Sequence, residues 1–309
     1  MRKILSAFIL AACMSVPCQA ASIVASIFPA YDWVREITKG VSHDLTLLLD
    51  NGADLHSWQP SAEDIVRISE CDLFVYVGGE SDTWAEGVLK VPGKNGRRVI
   101  NLLDVLGSSV KPEKIVEGMQ HGHDDHAHEH EEPDEHIWLS LRNAEIICRK
   151  ISDTLSEIDP ANKNIYSANF KDYAGQLAIL DGEYSEMVRH SARRVMLFAD
   201  RFPFRYLADN YGIKYYAAFS GCSAESEASF ETIIFLAQKL DELQLPCVIK
   251  IDGANHKIAE TVINASKNHD RKIITLDSMQ SSGLKDIESG KTYLSTMREN
   301  LKALKEALN

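Results

Sequence analysis

The sequence is dominated by an alternation of short, β-branched or apolar runs with longer segments of helical period. This alternation is typical of α/β proteins in which helices cover a mainly parallel sheet. In the first half it predicts helices at 31–38, 61–70 and 84–89, and strands at 23–28, 45–49, 73–77 and 99–103. In the second half it predicts helices at 204–211, 228–243, 257–267 and 292–308, and strands at 195–198, 215–219, 247–251 and 273–276.

A continuous helical segment separates the two halves. Residues 161–190 contain no proline and only two glycines, and their apolar side chains recur at helical spacing. One helix of this length would run about 45 Å at about 1.5 Å per residue. We therefore expect two lobes of parallel sheet flanked by helices, at 21–160 and 192–309, joined by one long, rigid linker helix at 161–191.

The N-terminus has the pattern of a secretory signal peptide over residues 1–20: Arg2 and Lys3, an apolar stretch, and a small residue at Ala20. The apolar stretch is shorter than the roughly 20 residues that span a bilayer. Cleavage after Ala20 is one processing route. Lipid attachment at Cys13 is the other, because the preceding Leu-Ala-Ala resembles a bacterial lipobox. Both routes predict a periplasmic or otherwise extracytoplasmic protein.

Charge and cysteine content narrow the function classes. The net charge of −12 argues against a nucleic-acid partner, which requires clustered Lys and Arg, and suits a cation ligand. Four cysteines remain after signal cleavage: Cys71, Cys148, Cys222 and Cys247. Three of them have apolar neighbours, which favours small buried side chains, although a disulfide in an oxidising compartment stays possible at this stage.

A segment rich in histidine and acidic residues interrupts the alternation at 121–135. It cannot bury a core, and we expect a solvated loop. Either the loop is a tolerated insertion or its imidazoles collect a metal ion weakly. The imidazoles concerned are His121, His123, His126, His128 and His130.

Three further residues are candidate metal ligands. His56 follows a predicted strand and precedes a capped helix, and Asp277 ends another predicted strand, positions at which open α/β sheets bind ligands. His136 precedes an apolar Ile-Trp-Leu segment and a helix that Ser140 can cap. Each signal alone is weak, because a lone histidine or a turn aspartate is more often structural.

Taken together, these segments resemble the solute-binding proteins of zinc and manganese ABC importers. The resemblance covers essentially the whole mature chain. It is carried by the segment GADLHSWQP at 52–60, EHIWLS at 135–140, FRYL at 204–207, YGI at 211–213 and LDS at 276–278. The resemblance implies a metal site in the cleft between two lobes, with His56, His136 and Asp277 as ligands.

The third ligand of that family, His or Glu in most relatives, falls on Arg201 in this sequence. Arginine has no lone pair to offer a metal ion. Asp200 is one replacement, and Cys222, Glu225 or Glu227 of the loop at 220–227 are others. Arg201 itself is expected to pair with Glu225 or Glu227.

Two imidazoles and a carboxylate suit a borderline divalent ion and, with one more donor, the tetrahedral shell of Zn²⁺. We therefore expect zinc, with Mn²⁺ as the alternative within the same family. The resemblance further implies a membrane permease of an ABC importer as partner, and we expect a monomer. A secreted metalloenzyme is the rival class, but the sequence lacks H-E-x-x-H and G-x-S-x-G motifs. A surface adhesin receives no separate support.

Overall fold

The computed structural model describes residues 20–50, 52–120, 132–223 and 227–309. These residues contain two four-stranded parallel sheets, with strand orders β2-β1-β3-β4 and β6-β5-β7-β8. The expected α/β class with two parallel sheets is confirmed. The strands are β1 (Ala21–Ala25), β2 (His43–Leu47), β3 (Leu73–Tyr76), β4 (Arg98–Asn101), β5 (Val195–Phe202), β6 (Lys214–Ser220), β7 (Cys247–Ile251) and β8 (Lys272–Leu276).

Helices follow nearly every strand, as parallel connections require. The first sheet is accompanied by α1 (Phe28–Ile37), α2 (Ala62–Glu70), α3 (Trp84–Leu89), α4 (Leu102–Leu106) and α5 (Leu141–Ile158). The second is accompanied by α7 (Arg205–Tyr211), α8 (Phe230–Glu242), α9 (Lys257–Ala265), α10 (Leu284–Glu288) and α11 (Tyr293–Ala307). Within the described part of the chain, no helix has the length and apolar character of a membrane span.

The first strand and helix meet earlier than the sequence pattern predicts. The prediction assigned Phe28 to a strand, but Phe28 is the first residue of α1. The reason is Pro29, which occupies the first turn, where its fixed φ and missing N–H group cost nothing. The chain therefore turns into a helix directly after Ile27.

The end of β4 differs from the prediction in a similar way. The strand was expected to continue to Leu103 but ends at Asn101, and Leu102 begins α4. The side chain of Asn101 accepts a hydrogen bond from the Asp104 backbone N–H at 3.2 Å. This cap satisfies a free donor at the helix start and stops the strand.

One long helix, α6 (Lys163–His190, 28 residues), joins the two sheets, which confirms the predicted linker helix. It packs against α5, α1 and α11. Its two glycines have open space around them, so they do not mark a close contact with another element. The Tyr184 hydroxyl donates a 2.6 Å hydrogen bond to the Met297 carbonyl oxygen and fixes α6 against α11.

The apolar core is continuous between the two sheets. One cluster of buried side chains runs from β1 and α1 through α5 and α6 to Phe198 and Ile249 of the second sheet. Alternate residues of β5, including Leu197, face a smaller cluster beneath α8 and α9, as expected from the two-residue period of a strand. Wide separation of the lobes would expose the shared cluster to water, so large opening is disfavoured.

Two hydrogen bonds also join the lobes close to His136. The Tyr206 hydroxyl donates to the Asp134 carbonyl oxygen at 2.9 Å, and the Trp138 indole N–H donates to the Ser278 carbonyl oxygen at 2.8 Å. Asp134 and Trp138 each lie two residues from His136, and Ser278 directly follows Asp277. These bonds therefore fix the relative position of the two lobes next to the site.

The four cysteines of the described residues are free thiols. Cys71, Cys148 and Cys247 are buried, as expected from their apolar surroundings, whereas Cys222 is partly exposed. This difference singles out Cys222 as the thiol that a ligand can reach.

Asp32 of α1 is a buried carboxyl group at the junction of α1 and α11. It accepts a 2.8 Å hydrogen bond from the Tyr293 backbone N–H and pairs with Arg35. Burial raises the pKa of Asp32 to about 6, although Arg35 and the Tyr293 N–H oppose the shift. The folded protein therefore holds this proton more strongly than the unfolded chain does.

This raised pKa predicts a pH-dependent contribution to stability. As pH rises from about 4, the unfolded chain releases the Asp32 proton first, so the folded state loses stability until pH passes the folded pKa of about 6. We expect the difference in unfolding free energy between wild type and Asp32→Asn to fall by about 2 kcal/mol from pH 4 to pH 7. Urea unfolding at several pH values measures this difference. The exposed Asp153→Asn is the control, and equal pH profiles for wild type and Asp32→Asn would refute the assignment.

Candidate metal centre

His56 lies in a short 3-10 turn, Leu55–Ser57, between β2 and α2. The Asp54 side chain caps this turn by accepting a hydrogen bond from the His56 backbone N–H at 3.1 Å. The helix that follows starts with a capping box between Ser61 and Asp64, as the sequence predicts. These local caps hold His56 at the carboxyl end of the first sheet.

His136 is fully buried and precedes a second 3-10 turn, Ile137–Leu139. One oxygen of Asp134 accepts hydrogen bonds from both the His136 backbone N–H, at 3.0 Å, and the ring atom Nδ1, at 2.9 Å. Ser140 then caps α5, as predicted. Asp134 therefore fixes both the position of the ring and the nitrogen that carries its proton.

The two imidazole rings face each other across the site. Their Nε2 atoms are 3.3 Å apart, and the amide nitrogen of Gln280 lies 2.8 Å from that of His56 and 2.9 Å from that of His136. On its other side, His56 Nδ1 is 2.7 Å from the Ser81 hydroxyl oxygen. One protonation pattern satisfies all of these contacts: each ring carries its proton on Nδ1, and the two amide hydrogens of Gln280 go to the two Nε2 lone pairs.

The electrostatic surroundings keep the imidazole of His56 neutral. Burial first of all, and then the neighbouring His136, lower the pKa of His56 to about 3. A neutral imidazole is the form that binds metal ions. The site is therefore ready to accept a cation across the usual physiological pH range.

Cys222 completes the only group of three potential ligands that the described residues bring together. The donor atoms of His56, His136 and Cys222 all lie within 4.8 Å of one another. The Cys222 backbone N–H donates to Glu113 Oε1 at 2.9 Å. Burial, and then the negative charge of Glu113, hold the pKa of the Cys222 thiol well above its usual range, so the thiol keeps its proton near neutral pH.

Gly221 permits this close packing of the Cys222 loop on the His136 ring. A Cβ atom at position 221 would lie 2.9 Å from Cε1 and 3.0 Å from Nδ1 of His136. Any larger residue would push the loop away from the imidazole. The glycine is therefore a steric requirement for bringing Cys222 to the histidine pair.

Asp277, the carboxylate that the family resemblance implies as a ligand, is engaged elsewhere in the structure. Its Oδ2 pairs with Lys291 Nζ at 2.7 Å, and its Oδ1 accepts a hydrogen bond from the Met279 backbone N–H at 2.7 Å. Asp277 thereby orders the tight turn, with φ of +59° at Met279, that presents Gln280. Its role as a ligand stays a prediction.

Gln280 was not identified from the sequence. It is 96% buried, since its relative exposure is 4%, and it lies three residues after the strand-ending aspartate. The sequence signal was faint, because a lone glutamine in a Ser- and Gly-rich turn is an ordinary surface residue. Only the tertiary structure shows that its amide meets both imidazoles.

The described candidates Asp200 and Glu227 do not join the group. Both oxygens of Asp200 accept backbone hydrogen bonds, from Arg201 at 2.8 Å and from Ile251 at 3.1 Å. Arg201 was expected to pair with Glu227 or Glu225, and the pairing with Glu227 is wrong: its guanidinium contacts Asp54 Oδ2 at 2.6 Å. The register of β5 shifts between Phe198 and Arg201, in the same strand from which the Arg201 side chain extends to Asp54.

Several predicted residues lie outside the described part of the chain. They are the signal peptide with Cys13, the acidic residue Glu225, and the loop histidines His121, His123, His126, His128 and His130.

Comparison with known proteins gives consistent likenesses. The family model described as zinc-uptake complex component A, periplasmic, matches residues 23–307. The zinc-binding lipoprotein AdcA of Streptococcus pneumoniae strain TIGR4 is 30% identical over 286 residues, which cover 92% of this chain and 55% of that protein. The chain therefore spans about half the length of this relative.

Two further likenesses cover most of both chains. The high-affinity zinc uptake system protein ZnuA of Bacillus subtilis is 27% identical over 295 residues, covering 93% of this chain and 87% of that protein. The crystal structure of the Zn(II)-bound ZnuA-like domain of Streptococcus pneumoniae AdcA matches with a TM-score of 0.73 and 25% identity, covering 94% of this chain and 99% of that chain.

The electrostatics of the site predict that His56 resists protonation. In an NMR titration of the metal-free protein, the ring nitrogen shifts of His56 should stay those of a neutral imidazole from pH 7.5 down to pH 4.5, because its pKa is lowered to about 3. His56→Gln identifies the signal. His136→Gln, which removes the second cause of the shift, should raise the pKa of His56. A midpoint near 6.5 in the wild type would contradict the prediction.

Proposed function

The chain belongs to the family of periplasmic zinc-uptake component A proteins, and we propose on this basis that it captures Zn²⁺ outside the cytoplasmic membrane and delivers it to an ABC importer. The metal ion is the cargo of the protein. A membrane permease is its partner, and the protein acts as a monomer. Either the cleaved signal peptide or a lipid at Cys13 accounts for the extracytoplasmic location.

The observation that carries this proposal is the convergence of His56, His136 and Cys222. Imidazole nitrogen and thiolate sulfur are both common ligands of Zn²⁺, and zinc sites with an open position have three protein ligands. A thiolate favours zinc over manganese, which prefers carboxylate and water oxygen. Cys222 thereby takes the place of the third ligand that Arg201 cannot supply.

Metal binding at this site requires two local changes. The Cys222 thiol, whose pKa is raised by burial and nearby acidic residues, must lose its proton, so binding is coupled to proton release. The Gln280 amide must give up its two hydrogen bonds to the imidazoles or turn its carbonyl oxygen toward the ion. The fourth position of the shell falls to that oxygen or to Asp277.

Capture also links the two lobes. We assign the first lobe to 21–160, the linker to 161–191 and the second lobe to 192–309, so that the histidines come from one lobe and Cys222 from the other. The shared core and the Trp138–Ser278 hydrogen bond oppose wide opening. Release therefore proceeds through the loop around Cys222 and through small tilts of the lobes.

The ligand assignment predicts the effect of single substitutions on zinc affinity. His56→Ala, His136→Ala and Cys222→Ser should each weaken zinc binding by more than about 100-fold, beyond the 10- to 100-fold loss typical when a residue that only orients a ligand is changed. Cys222→Ser should weaken zinc more than manganese. Competition with a chromophoric chelator measures both affinities, and the exposed His269→Ala is the matched control.

Two more variants complete this experiment. Asp277→Ala distinguishes two roles of this residue. A loss of zinc affinity as large as in the histidine variants indicates a ligand, whereas a smaller loss indicates a residue that orders the turn of Gln280. Deletion of residues 121–130 should remove weak zinc sites and leave the tight site, because the loop collects metal without forming the shell. Unchanged affinity in all three ligand variants would refute the proposed site.

A further inference from the structure

A cavity lined by His56 and Cys222 adjoins the candidate centre. Its volume is about 200 Å³, and four carboxylic residues line it: Glu80, Glu113, Glu132 and Glu135. We call these four residues the acidic vestibule. No Lys or Arg is among the described residues that line the cavity. A cleft lined by charges of one sign focuses the electric field and raises the local concentration of counter-ions.

Glu135 shows that this cavity is more than a patch of surface acids. Its exposed fraction is only 2%. Its Oε1 accepts a 3.0 Å hydrogen bond from the Ser81 backbone N–H, but its buried Oε2 has no hydrogen-bond partner in the described structure. This oxygen lies 3.8 Å from His56 Nδ1. An unpartnered buried carboxylate oxygen is costly, and a cation in the cavity would offset that cost.

The backbone is shaped to admit the Glu135 carboxylate. A Cβ atom at Gly79 would lie 2.3 Å from Glu135 Oε1, so only glycine leaves room for it. Gly79 also has φ of +79°, a conformation that residues with a side chain rarely adopt.

The other three carboxylic residues also line the cavity. Glu113 Oε1 accepts the hydrogen bond from the Cys222 backbone N–H, and its own backbone N–H donates to the Glu132 carbonyl oxygen at 2.7 Å. Glu80 and Glu132 share a hydrogen bond between their carboxyl groups, and burial followed by the Glu132 charge raises the pKa of Glu80. A divalent ion can replace the proton that holds this pair together.

The spacing of these groups indicates how an ion is held. Among the described residues, only His56, His136 and Cys222 bring three donor atoms within 4.8 Å of one another. The carboxylates of the vestibule are too widely spaced to form one tight shell around a bare ion. They suit a divalent ion that keeps its water molecules and is bound by charge and by hydrogen bonds through that water.

The opposite side of the site is less favourable to a cation. His56 also lines a cavity of about 410 Å³, which contains the Arg201 guanidinium together with Asp54 and Asp200. The positive charge of Arg201, paired with Asp54, offsets the acidic groups there. The two routes to His56 therefore differ in net charge.

We propose that the acidic vestibule is a separate binding site for a hydrated divalent cation, from which the ion passes to His56 and Cys222. The proposal rests on the proposed function, because it names the path by which that cargo reaches its ligands. The vestibule sets the rate of capture, and the three-ligand centre sets the lifetime of the bound ion.

The test is the rate of zinc association, measured by stopped-flow competition with a fluorescent chelator at low and high ionic strength. Glu80→Gln/Glu132→Gln removes the charge of this carboxyl pair and keeps Glu113, whose charge acts on the Cys222 thiol. We expect the association rate constant to fall about tenfold at low ionic strength and the difference to shrink to less than about twofold at 0.5 M salt. The dissociation rate constant should be unchanged.

The control is Glu183→Gln/Glu288→Gln, which removes the same charge at two exposed positions outside the vestibule and should leave the association rate constant within about twofold of wild type. If the double variant does not fold, the single variant Glu132→Lys at an exposed position gives the same comparison.

Each outcome decides the proposal. An association rate constant equal to that of the control, a loss that does not depend on salt, or a loss confined to the dissociation rate constant would overturn the vestibule while leaving the zinc centre intact. If wild type binds no zinc, the proposed function fails and the vestibule fails with it.

Discussion

The arrangement of the site depends on two imidazole nitrogens that face each other at 3.3 Å. Two lone pairs at this separation repel unless a donor or a cation lies between them. In the structure the Gln280 amide serves as that donor, and Asp134 and Ser81 hold the rings through their Nδ1 atoms. A cation that replaces the amide binds both nitrogens at once. The histidine pair therefore supplies two ligands that are already in position.

The rest of the molecule keeps this pair within reach of the second lobe. A continuous core, the linker helix α6 and the hydrogen bond from Trp138 to Ser278 hold the lobes together. Gly221 lets the loop that carries Cys222 press against the His136 ring. The stability of the fold and the geometry of the site thus share the same contacts, and our proposals assign metal exchange to the loop that carries Cys222 and to the acidic vestibule.

Much of this could be predicted from the sequence, because strands, helices and caps follow from local patterns. The alternation predicted both sheets and α6, and the family resemblance singled out His56 and His136. The pattern failed at Phe28, where Pro29 starts a helix, and at Arg201, whose partner Asp54 is 147 residues away in sequence. The sequence did not predict the role of Gln280 for the same reason, because its contacts with the two imidazoles are tertiary and no spacing in the sequence encodes them.

The central claim is that a sulfur atom replaces the third ligand of the family in this chain. X-ray absorption at the zinc edge of the loaded protein tests it directly. The account predicts one sulfur neighbour at about 2.3 Å together with nitrogen and oxygen neighbours at about 2.0–2.2 Å, and loss of the sulfur neighbour in Cys222→Ser. A shell of nitrogen and oxygen alone in the wild-type protein would contradict it.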